Sequence, residues 1–386
     1  MRRRTFGLLF GTPGLIALGL GTLGLAGCQS AQTGAPAALN QGPGPRTGGD
    51  LGRVAILLPL SGKLAEIGKP MLRAAQLALS VEGSPGLLVK DTGGTPDGAA
   101  RAAQEAIEAG ARMILGPVTS PETAMVAPIA KRAGVPVLAF TNDQAQSQPG
   151  VWTLGISPGQ QVRRLWAAMK AENAGPIVAI LPDNDFGKAM GDELTRLAAA
   201  EGRAAPFVRM HGPGKDAIVS AVGELAGMVV ADQPPPFGAI LIGAVGNDLR
   251  VLEKALKDAK IDRNKIKLLG PALWIDPASG SAAVAGALFA MPDPDLRRDM
   301  VKAFETKYKE TPPPRVDLAY DAGSIARVLA SQGQLSVAGL TQPGGFAGVD
   351  GWFALSGDGQ VRRGLAVFRV DRTRSTKIAA APSAGS

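Results

Sequence analysis

The sequence contains very few of the side chains on which most catalytic and metal chemistry depends. Its 386 residues include one cysteine and one histidine, and aromatic residues make up only 4% of the chain. A single cysteine excludes an intramolecular disulfide and a cysteine-cluster metal site, and a single histidine excludes a paired-histidine metal site. We therefore predict no bound metal, and His211 is the only candidate imidazole base.

Glycine and proline are abundant, at 51 and 30 residues, while 45% of the chain is hydrophobic. The hydrophobic content is high enough to build sizeable cores, which excludes global disorder. The length predicts about two domains plus appendages. The surplus of glycine and proline is expected in loops and terminal segments.

The N-terminus has the features of a secretory leader. Three arginines follow Met1, an uncharged stretch runs from Thr5 to Gly27, and Leu25-Ala26-Gly27 precedes Cys28. Basic, apolar and small residues in this order predict a signal peptide over residues 1–27. The Leu-Ala-Gly-Cys tetrapeptide resembles a bacterial lipobox, which implies that Cys28 carries a lipid. The alternative, a permanent transmembrane anchor, is disfavoured by the glycines and Pro13 in the apolar stretch.

Both ends of the mature chain are predicted to be unstructured. Residues 28–50 are rich in Gly, Pro, Gln, Thr and Ala, which predicts a lipidated flexible tether, and residues 371–386 are predicted to be a disordered tail. Gln29 stands where the inner-membrane retention signal of enteric bacteria has aspartate, so we expect a periplasmic protein anchored to the outer membrane rather than the inner. The formal charge of +8 includes three leader arginines. The remaining charges are scattered, and no nucleic-acid partner is predicted.

Between Gly52 and about Val370, short apolar runs alternate with helical patterns. This alternation predicts an α/β fold with mostly parallel sheets flanked by helices. The pattern repeats, because a buried strand ending in proline and a helix entered by Gly-Lys-x-Met occur at Val54–Met71 and again at Val178–Met190. Two Rossmann-like lobes with a ligand cleft between them are therefore expected, with the cleft at the carboxyl ends of the strands.

Three motifs that suggest catalysis have better structural interpretations. Gly155–Gly159 matches a hydrolase nucleophile elbow, but Pro158 lacks the backbone N–H that an oxyanion hole needs. Ser157 is predicted instead to be the N-cap of a helix. His211 is predicted to be a surface-loop residue, and Asp183 and Asp185 to be helix-capping residues. With no phosphate-binding glycine-rich loop, we predict no cofactor and a protein that is not an enzyme.

Several segments, in order, resemble type I periplasmic binding proteins of the leucine-binding kind. They are Arg53–Gly62, Ile114–Ser120, Val135–Asn142, Asp185–Gly187, Leu269–Pro271 and Tyr320–Ala322. The resemblance implies two discontinuous lobes joined by three crossovers, near Gly155, near Trp274 and within Leu335–Gly345. The first lobe would then consist of residues 51–155 and 275–335, and the second of residues 156–274 and 336–370.

The resemblance also implies which residues line the ligand cleft. Ser120, Ala139 and Thr141 match the first-lobe positions that bind the α-carboxylate of an amino acid, and Ser61 lies in the first strand-end loop. On the second lobe, Phe186 stands at a tyrosine position, Val245 lies where an aromatic residue is expected, and Ala272 replaces the acid that pairs with the α-ammonium. An ammonium buried without a carboxylate is strongly disfavoured. Binding of a free amino acid is therefore not expected.

The pattern is most similar to a subgroup of this family, the penicillin-binding protein activators. These are lipoproteins with a leucine-binding-like domain, and the opening Val54–Gly62 and the segment Gly345–Leu365 resemble theirs. The resemblance implies a non-catalytic envelope lipoprotein whose partner is a peptidoglycan synthase, a penicillin-binding protein. The alternative is a lipid-anchored solute-binding protein of an ABC transporter of the branched-chain amino-acid type, with a small-molecule ligand in the cleft.

Overall fold

The computed structural model describes residues 37–39, 51–230, 233–276 and 281–382. The predicted signal peptide, Cys28 and most of the predicted tether lie outside these residues. No helix in the described part of the chain is long and apolar enough to cross a bilayer.

The strands and helices alternate along most of the described chain. The strands are β1 (Ala37–Ala38), β2 (Arg53–Leu58), β3 (Gly86–Asp91), β4 (Ala111–Leu115), β5 (Val137–Ala139), β6 (Val151–Thr153), β7 (Ile177–Pro182), β8 (Val208–His211), β9 (Ala239–Ile242), β10 (Lys267–Gly270), β11 (Leu288–Met291), β12 (Phe346–Gly348), β13 (Gly351–Leu355), β14 (Val361–Arg363), β15 (Ala366–Val370) and β16 (Ser375–Ala379). The α-helices are α1 (Ala65–Ala78), α2 (Pro96–Glu108), α3 (Ser120–Ala133), α4 (Pro158–Ala171), α5 (Asp185–Ala200), α6 (Lys215–Ala226), α7 (Gly246–Asp258), α8 (Arg298–Tyr308), α9 (Val316–Ser331) and α10 (Val337–Leu340).

The two large sheets have the same parallel strand order. The first sheet has the order β3-β2-β4-β5-β6, and the parallel part of the second has the order β8-β7-β9-β10-β11. In both sheets the second strand along the chain lies at the edge, and the first strand lies between the second and the third. Antiparallel strands β15 and β16 extend the second sheet beyond β11. The predicted α/β fold with two Rossmann-like lobes is confirmed.

The Gly-Lys-x-Met repeat has the same physical cause in both lobes. A Cβ atom on Gly68 would lie 2.1 Å from the carbonyl oxygen of Pro59, and one on Gly187 would lie 2.0 Å from that of Pro182. Only glycine permits a helix to begin so close to the end of the preceding strand. The matching sequence segments therefore reflect equivalent strand-to-helix turns.

Each sheet is covered by helices on both faces, which explains the continuous apolar strands. In the first lobe, α2 and α3 cover one face, and α1 and α9 cover the other together with the small sheet β1-β12-β13-β14. In the second lobe, α4 and α5 cover one face, and α6 and α7 cover the other. The two lobes therefore have separate hydrophobic cores.

The first chain crossing between the lobes lies where it is predicted, and the second does not. The chain leaves the first sheet after β6 and enters α4 of the second lobe, which places this crossing beside Gly155. The second crossing is predicted near Trp274, but β11 pairs in parallel with β10 and therefore belongs to the second sheet. The chain returns to the first lobe only after Met291.

The third crossing is also predicted too early. Residues 336–363 form α10 and strands β12–β14, and their apolar side chains Leu340, Phe346 and Phe353 are buried in the first-lobe core with α1 and α9. The crossing therefore lies at Gly364, between β14 and β15. The first lobe comprises residues 51–154 and 292–363, and the second comprises the described residues of 155–291 and 364–382.

Parts of the predicted tether and tail are ordered against the lobes. Ala37 and Ala38 pair in parallel with Phe346 and Ala347, the Leu39 side chain is buried, and Arg327 donates to the Leu39 carbonyl oxygen at 2.6 Å. At the other end, β16 pairs with β15, and Lys377 binds the carboxylates of Asp293 and Asp295. The prediction of disorder throughout residues 371–386 is therefore wrong, because main-chain pairing at a sheet edge orders a polar segment.

Candidate functional site

A cavity of about 580 Å³ lies between the lobes beside the chain crossings. The first lobe contributes the loop after β5, the second lobe contributes a 3₁₀ turn at Ala272–Ile275, and the remaining wall comes from the second crossing and the start of α9. Its lining residues include Met71, Val118, Phe140, Thr141, Asn142, Ile156, Leu273, Ile275, Asp276, Met291, Asp293, Arg297, Arg315, Asp317, Leu318 and Asp350.

Two of the predicted cleft residues are brought together at the first-lobe wall. The hydroxyl oxygens of Ser120 and Thr141 lie 3.0 Å apart, and Thr141 also accepts a hydrogen bond from the N–H of Asp143 at 3.1 Å. Thr141 lines the cavity. The two hydroxyls therefore satisfy part of each other's hydrogen-bonding capacity without a ligand.

The other first-lobe predictions lie away from the cavity wall. The Ala139 side chain is fully buried in the core beneath α2 and α3, because alternate residues of β5 point to opposite faces of the sheet. The assignment of Ala139 to the ligand cleft concerns its backbone rather than its side chain, and it stays a prediction. Ser61 is exposed, and its N–H donates to Asp91 at 3.3 Å in the neighbouring strand-end loop.

On the second lobe, neither predicted residue lines this cavity. Phe186 lies in the first turn of α5 and packs partly buried against the core under α4 and α5. Val245 is partly exposed and precedes α7.

The second-lobe wall is formed instead by the turn at Ala272–Ile275. The N–H of Ala272 donates to the side-chain carbonyl of Gln161 at 2.7 Å, and the Trp274 indole donates to the carbonyl of Ala244 at 3.1 Å. The Trp274 ring occupies the space that a side chain on Gly270 would need. These two hydrogen bonds hold the turn in place at the cavity wall, with Ala272 and Leu273 lining the cavity.

A cluster of buried charges forms the opposite wall. Arg297 donates from Nη2 to Asp317 Oδ1 at 2.9 Å, and its Nε lies 2.7 Å from Oδ2 in an ion pair too bent for a hydrogen bond. Asp321 accepts the N–H groups of Val349 and Asp350 at 2.8 and 3.2 Å. Asp321 thereby holds the β12–β13 turn in place and aligns Asp350 with the cavity.

Burial raises the pKa of all three aspartates in this cluster. For Asp317, burial and the negative charge of Asp350 outweigh Arg297 and raise the pKa to about 7. For Asp321, burial and the same Asp350 charge outweigh two backbone N–H donors and Arg363, and raise the pKa to about 8. Burial also raises the pKa of Asp350, against the opposing charges of Arg363 and Arg297.

Arg363 connects the cluster to the chain crossings. Its Nη2 donates to the carbonyl of Leu154 at 2.7 Å, and its guanidinium lies 5.0 Å from the centre of the Phe353 ring. Leu154 begins the first crossing, and Arg363 immediately precedes the third. This single side chain therefore ties two of the three crossings to the charged wall of the cavity.

Tyr320–Ala322 and Gly345–Leu365 resemble the family in sequence, but no site residue is predicted in them from the sequence. The structure places Asp321, Asp350 and Arg363 from these segments around one wall. Two aspartates four residues apart in a mostly apolar helix, Asp317 and Asp321 in α9, are the sequence signal that could have indicated a buried polar role.

None of the three motifs considered for catalysis forms a catalytic site. The N-cap of α5 is Asn184, which accepts the N–H of Gly187 at 2.9 Å, so the prediction that Asp183 and Asp185 cap this helix is wrong. Ser157 is buried and accepts the N–H of Gln160 at 3.2 Å as a helix N-cap, as predicted. His211 is buried rather than on a surface loop, so that prediction is wrong; it is the last residue of the edge strand β8, where it pairs with Pro182 of β7. Neither residue lines the cavity. Within the described ranges, no group of three or more His, Cys, Asp or Glu side chains is arranged to hold a metal ion.

Two α/β lobes, three chain crossings and a cavity beside those crossings define a two-lobed binding protein. The sequence profile of the family described as "Periplasmic binding protein" matches residues 53–376. The chain belongs to this family, which confirms the resemblance to leucine-binding-like proteins. No curated protein matches the chain.

Solved structures from two kinds of system share this fold. A putative branched-chain amino acid ABC transporter protein from Rhodospirillum rubrum is 19% identical, with a TM-score of 0.69 over 84% of this chain and 99% of that one. The leucine-binding protein LivK from Thermotoga maritima is also 19% identical, with a TM-score of 0.57 over 85% and 98%. The C-domain of LpoA from Haemophilus influenzae, a regulator of PBP1A, is 17% identical, with a TM-score of 0.65 over 85% and 100%.

Proposed function

We propose that this protein is a non-catalytic periplasmic lipoprotein that regulates peptidoglycan synthesis by binding a penicillin-binding protein. The observation that carries this proposal is that the groups expected to bind an amino acid are either bonded to each other or absent. Ser120 and Thr141 lie within hydrogen-bonding distance of each other, Gln161 occupies the N–H of Ala272, and Phe186 lacks a hydroxyl. A binding fold without these contacts is suited to recognition of a protein.

The likeness to the LpoA C-domain supports the same role. That domain is described as a regulator of PBP1A, and the present chain covers all of it. In this proposal the lipid on Cys28 holds the protein at the outer membrane. The segment between Cys28 and Ala37 spans at most about 30 Å when fully extended. Docking of Ala37 and Ala38 on the first lobe therefore keeps that lobe near the membrane.

Co-precipitation of the full lipoprotein from cross-linked envelope extracts tests this function. We expect recovery of a bifunctional peptidoglycan synthase, and we expect the yield to fall for Cys28→Ser because the unlipidated protein is not concentrated at the membrane. The purified protein should also increase the polymerising rate of that synthase. Recovery of an ABC permease without any cell-wall synthase would contradict the proposal.

The cavity favours a second candidate, a lipid-anchored solute-binding protein of an ABC transporter. Its volume of about 580 Å³ lies within the range of about 300–1,000 Å³ typical of small-molecule sites. A thermal-shift screen of amino acids, amines and carboxylic acids should then find at least one stabilising compound. Stabilisation should be lost in Thr141→Ala, since Thr141 lines the cavity. A screen in which no compound raises the melting temperature would count against this candidate.

A further inference from the structure

Asp350 is a buried charged group that forms part of the cavity wall without serving the fold through its side chain. The residue is 7% exposed and lines the cavity, and its carboxylate accepts no hydrogen bond from any residue in the described ranges. Its backbone N–H, by contrast, is bound by Asp321. A buried carboxylate without hydrogen-bond donors is unfavourable unless a proton or a positive charge compensates it.

The surrounding charges do not compensate it fully. The groups that act on Asp350 are Arg297 and Arg363, and these same two guanidinium groups also face Asp317 and Asp321. Three carboxylates therefore share two positive charges. When all are ionised, the cluster is one positive charge short of neutrality.

The rest of the cavity suits an apolar body rather than a second charged group. Phe140, Ile156, Leu273, Ile275 and Met291 provide apolar surface around the opening. Arg297 is already bound to Asp317, and Arg315 lies exposed at the rim. An anionic ligand would have to compete with Asp317 for Arg297 or bind the solvated guanidinium of Arg315, whereas a cation could reach the desolvated carboxylate of Asp350.

We propose that this cavity binds a small amphipathic amine as its ammonium ion, with Asp350 as the residue that pairs with the ammonium. This inference rests on the second candidate function, solute binding, and names its ligand class. Ala272 stands at the second-lobe position where an acid is expected. Asp350 supplies the carboxylate for the ammonium from the first lobe instead. No α-carboxylate is required, because Ser120 and Thr141 are bonded to each other.

Isothermal titration of the full lipoprotein in detergent tests the proposal with matched probes. The probes are phenethylamine, cyclohexylamine and isoamylamine, each paired with the carboxylic acid of the same skeleton. We expect at least one amine to bind while its matched acid does not. In Asp350→Asn, amine affinity should fall at least tenfold. In Asp358→Asn, an exposed position on the β13–β14 turn, affinity should be unchanged.

Proton linkage gives a second measurement that does not depend on the variant. Burial raises the pKa of Asp350, and an ammonium favours its ionised form. Amine binding should therefore release protons at any pH where Asp350 is protonated in the free protein, and affinity should rise with pH. Tighter binding of the acids than of the amines would overturn the ammonium assignment while leaving solute binding intact. Binding of neither kind would overturn both, and the synthase co-precipitation would still stand as a separate test.

Discussion

Between pH 5 and pH 8 the protein should become less stable, because the fold holds buried carboxyl groups in their protonated form. Burial and the Asp350 charge raise the pKa of Asp317 to about 7 and that of Asp321 to about 8, from an ordinary value of 3.8. In this window the folded state binds more protons than the unfolded state, so the free energy of unfolding falls as pH rises. Urea denaturation should show a loss of at least about 1.4 kcal/mol, the equivalent of a change of one in pKa.

A fall in the free energy of unfolding with rising pH distinguishes the buried aspartates from the surface carboxylates. Hydrogen bonds and charges from lysines lower the pKa values of Glu105, Glu201 and Asp295 below their ordinary ones. These groups are ionised in both the folded and unfolded states above about pH 5, so they contribute no slope in the window. A loss between pH 5 and pH 8 therefore reports on the buried aspartates.

Asp350→Asn is the informative variant for this titration. The Asp350 carboxylate makes no hydrogen bond within the described residues. Replacing it with an amide of the same shape therefore loses no hydrogen bond. Its removal eliminates the negative charge that raises the pKa values of Asp317 and Asp321. We expect a flatter profile and a more stable protein at pH 8, while Asp358→Asn follows the wild type. An unchanged slope in Asp350→Asn would show that the cluster is not responsible.

The parallel cores of both lobes could be predicted because their strands are buried on two faces. The apolar run Val54–Leu58, in the first copy of the predicted repeat, forms the body of β2, and the four apolar residues Ala239–Ile242 form β9. In these runs every residue is apolar. A strand with one solvated face would alternate apolar and polar residues, and an amphipathic helix would have apolar residues only every three or four positions, so the runs indicate strands buried on both faces. The helix start at Ser157 was equally predictable, since a serine followed by proline and a glutamine three residues on satisfies a capping box.

The second and third chain crossings could not be placed from the sequence, because their positions depend on which sheet a short strand joins. Strand β11 has only four residues and follows an alanine- and glycine-rich stretch, and β12 and β14 have three each. Their lengths and compositions do not distinguish a last parallel strand from a linker. Only the pairing of β11 with β10, and the burial of Phe346 and Phe353 in the first-lobe core, assign them.

The charged wall of the cavity could not be predicted from the sequence, because its residues come from separate elements. Its members Arg297, Asp317, Asp321, Asp350 and Arg363 come from a 3₁₀ turn, one helix and two strand ends. Transfer from the family predicted Ser120 and Thr141, whose hydroxyls lie 3.0 Å apart with Thr141 on the cavity wall. It gave no reason to pair Asp321 with the backbone of a turn nearly thirty residues away. Tertiary packing alone creates that site.

Trp274→Ala should remove about 3–5 kcal/mol from the free energy of unfolding, the range for truncating a buried large aromatic residue. The Trp274 side chain is 1% exposed and belongs to the second-lobe core. Its indole N–H also satisfies the carbonyl of Ala244, which would lose its donor. Urea denaturation followed by circular dichroism measures the loss, since fluorescence would change with the removed indole itself.

The matched control for this loss is the preceding residue on the same turn. Leu273 is 54% exposed and lines the cavity, so Leu273→Ala removes apolar surface without opening a core, and we expect a loss below about 1 kcal/mol. Trp274→Phe should fall between the two, because it retains a ring against Gly270 and loses the hydrogen bond. Equal losses for Leu273→Ala and Trp274→Ala would mean that the turn is not anchored by its indole. The second-lobe wall would then be free to rearrange around a ligand. A much larger loss of stability for Trp274→Ala would instead mean that the shape of this wall is fixed before any ligand binds.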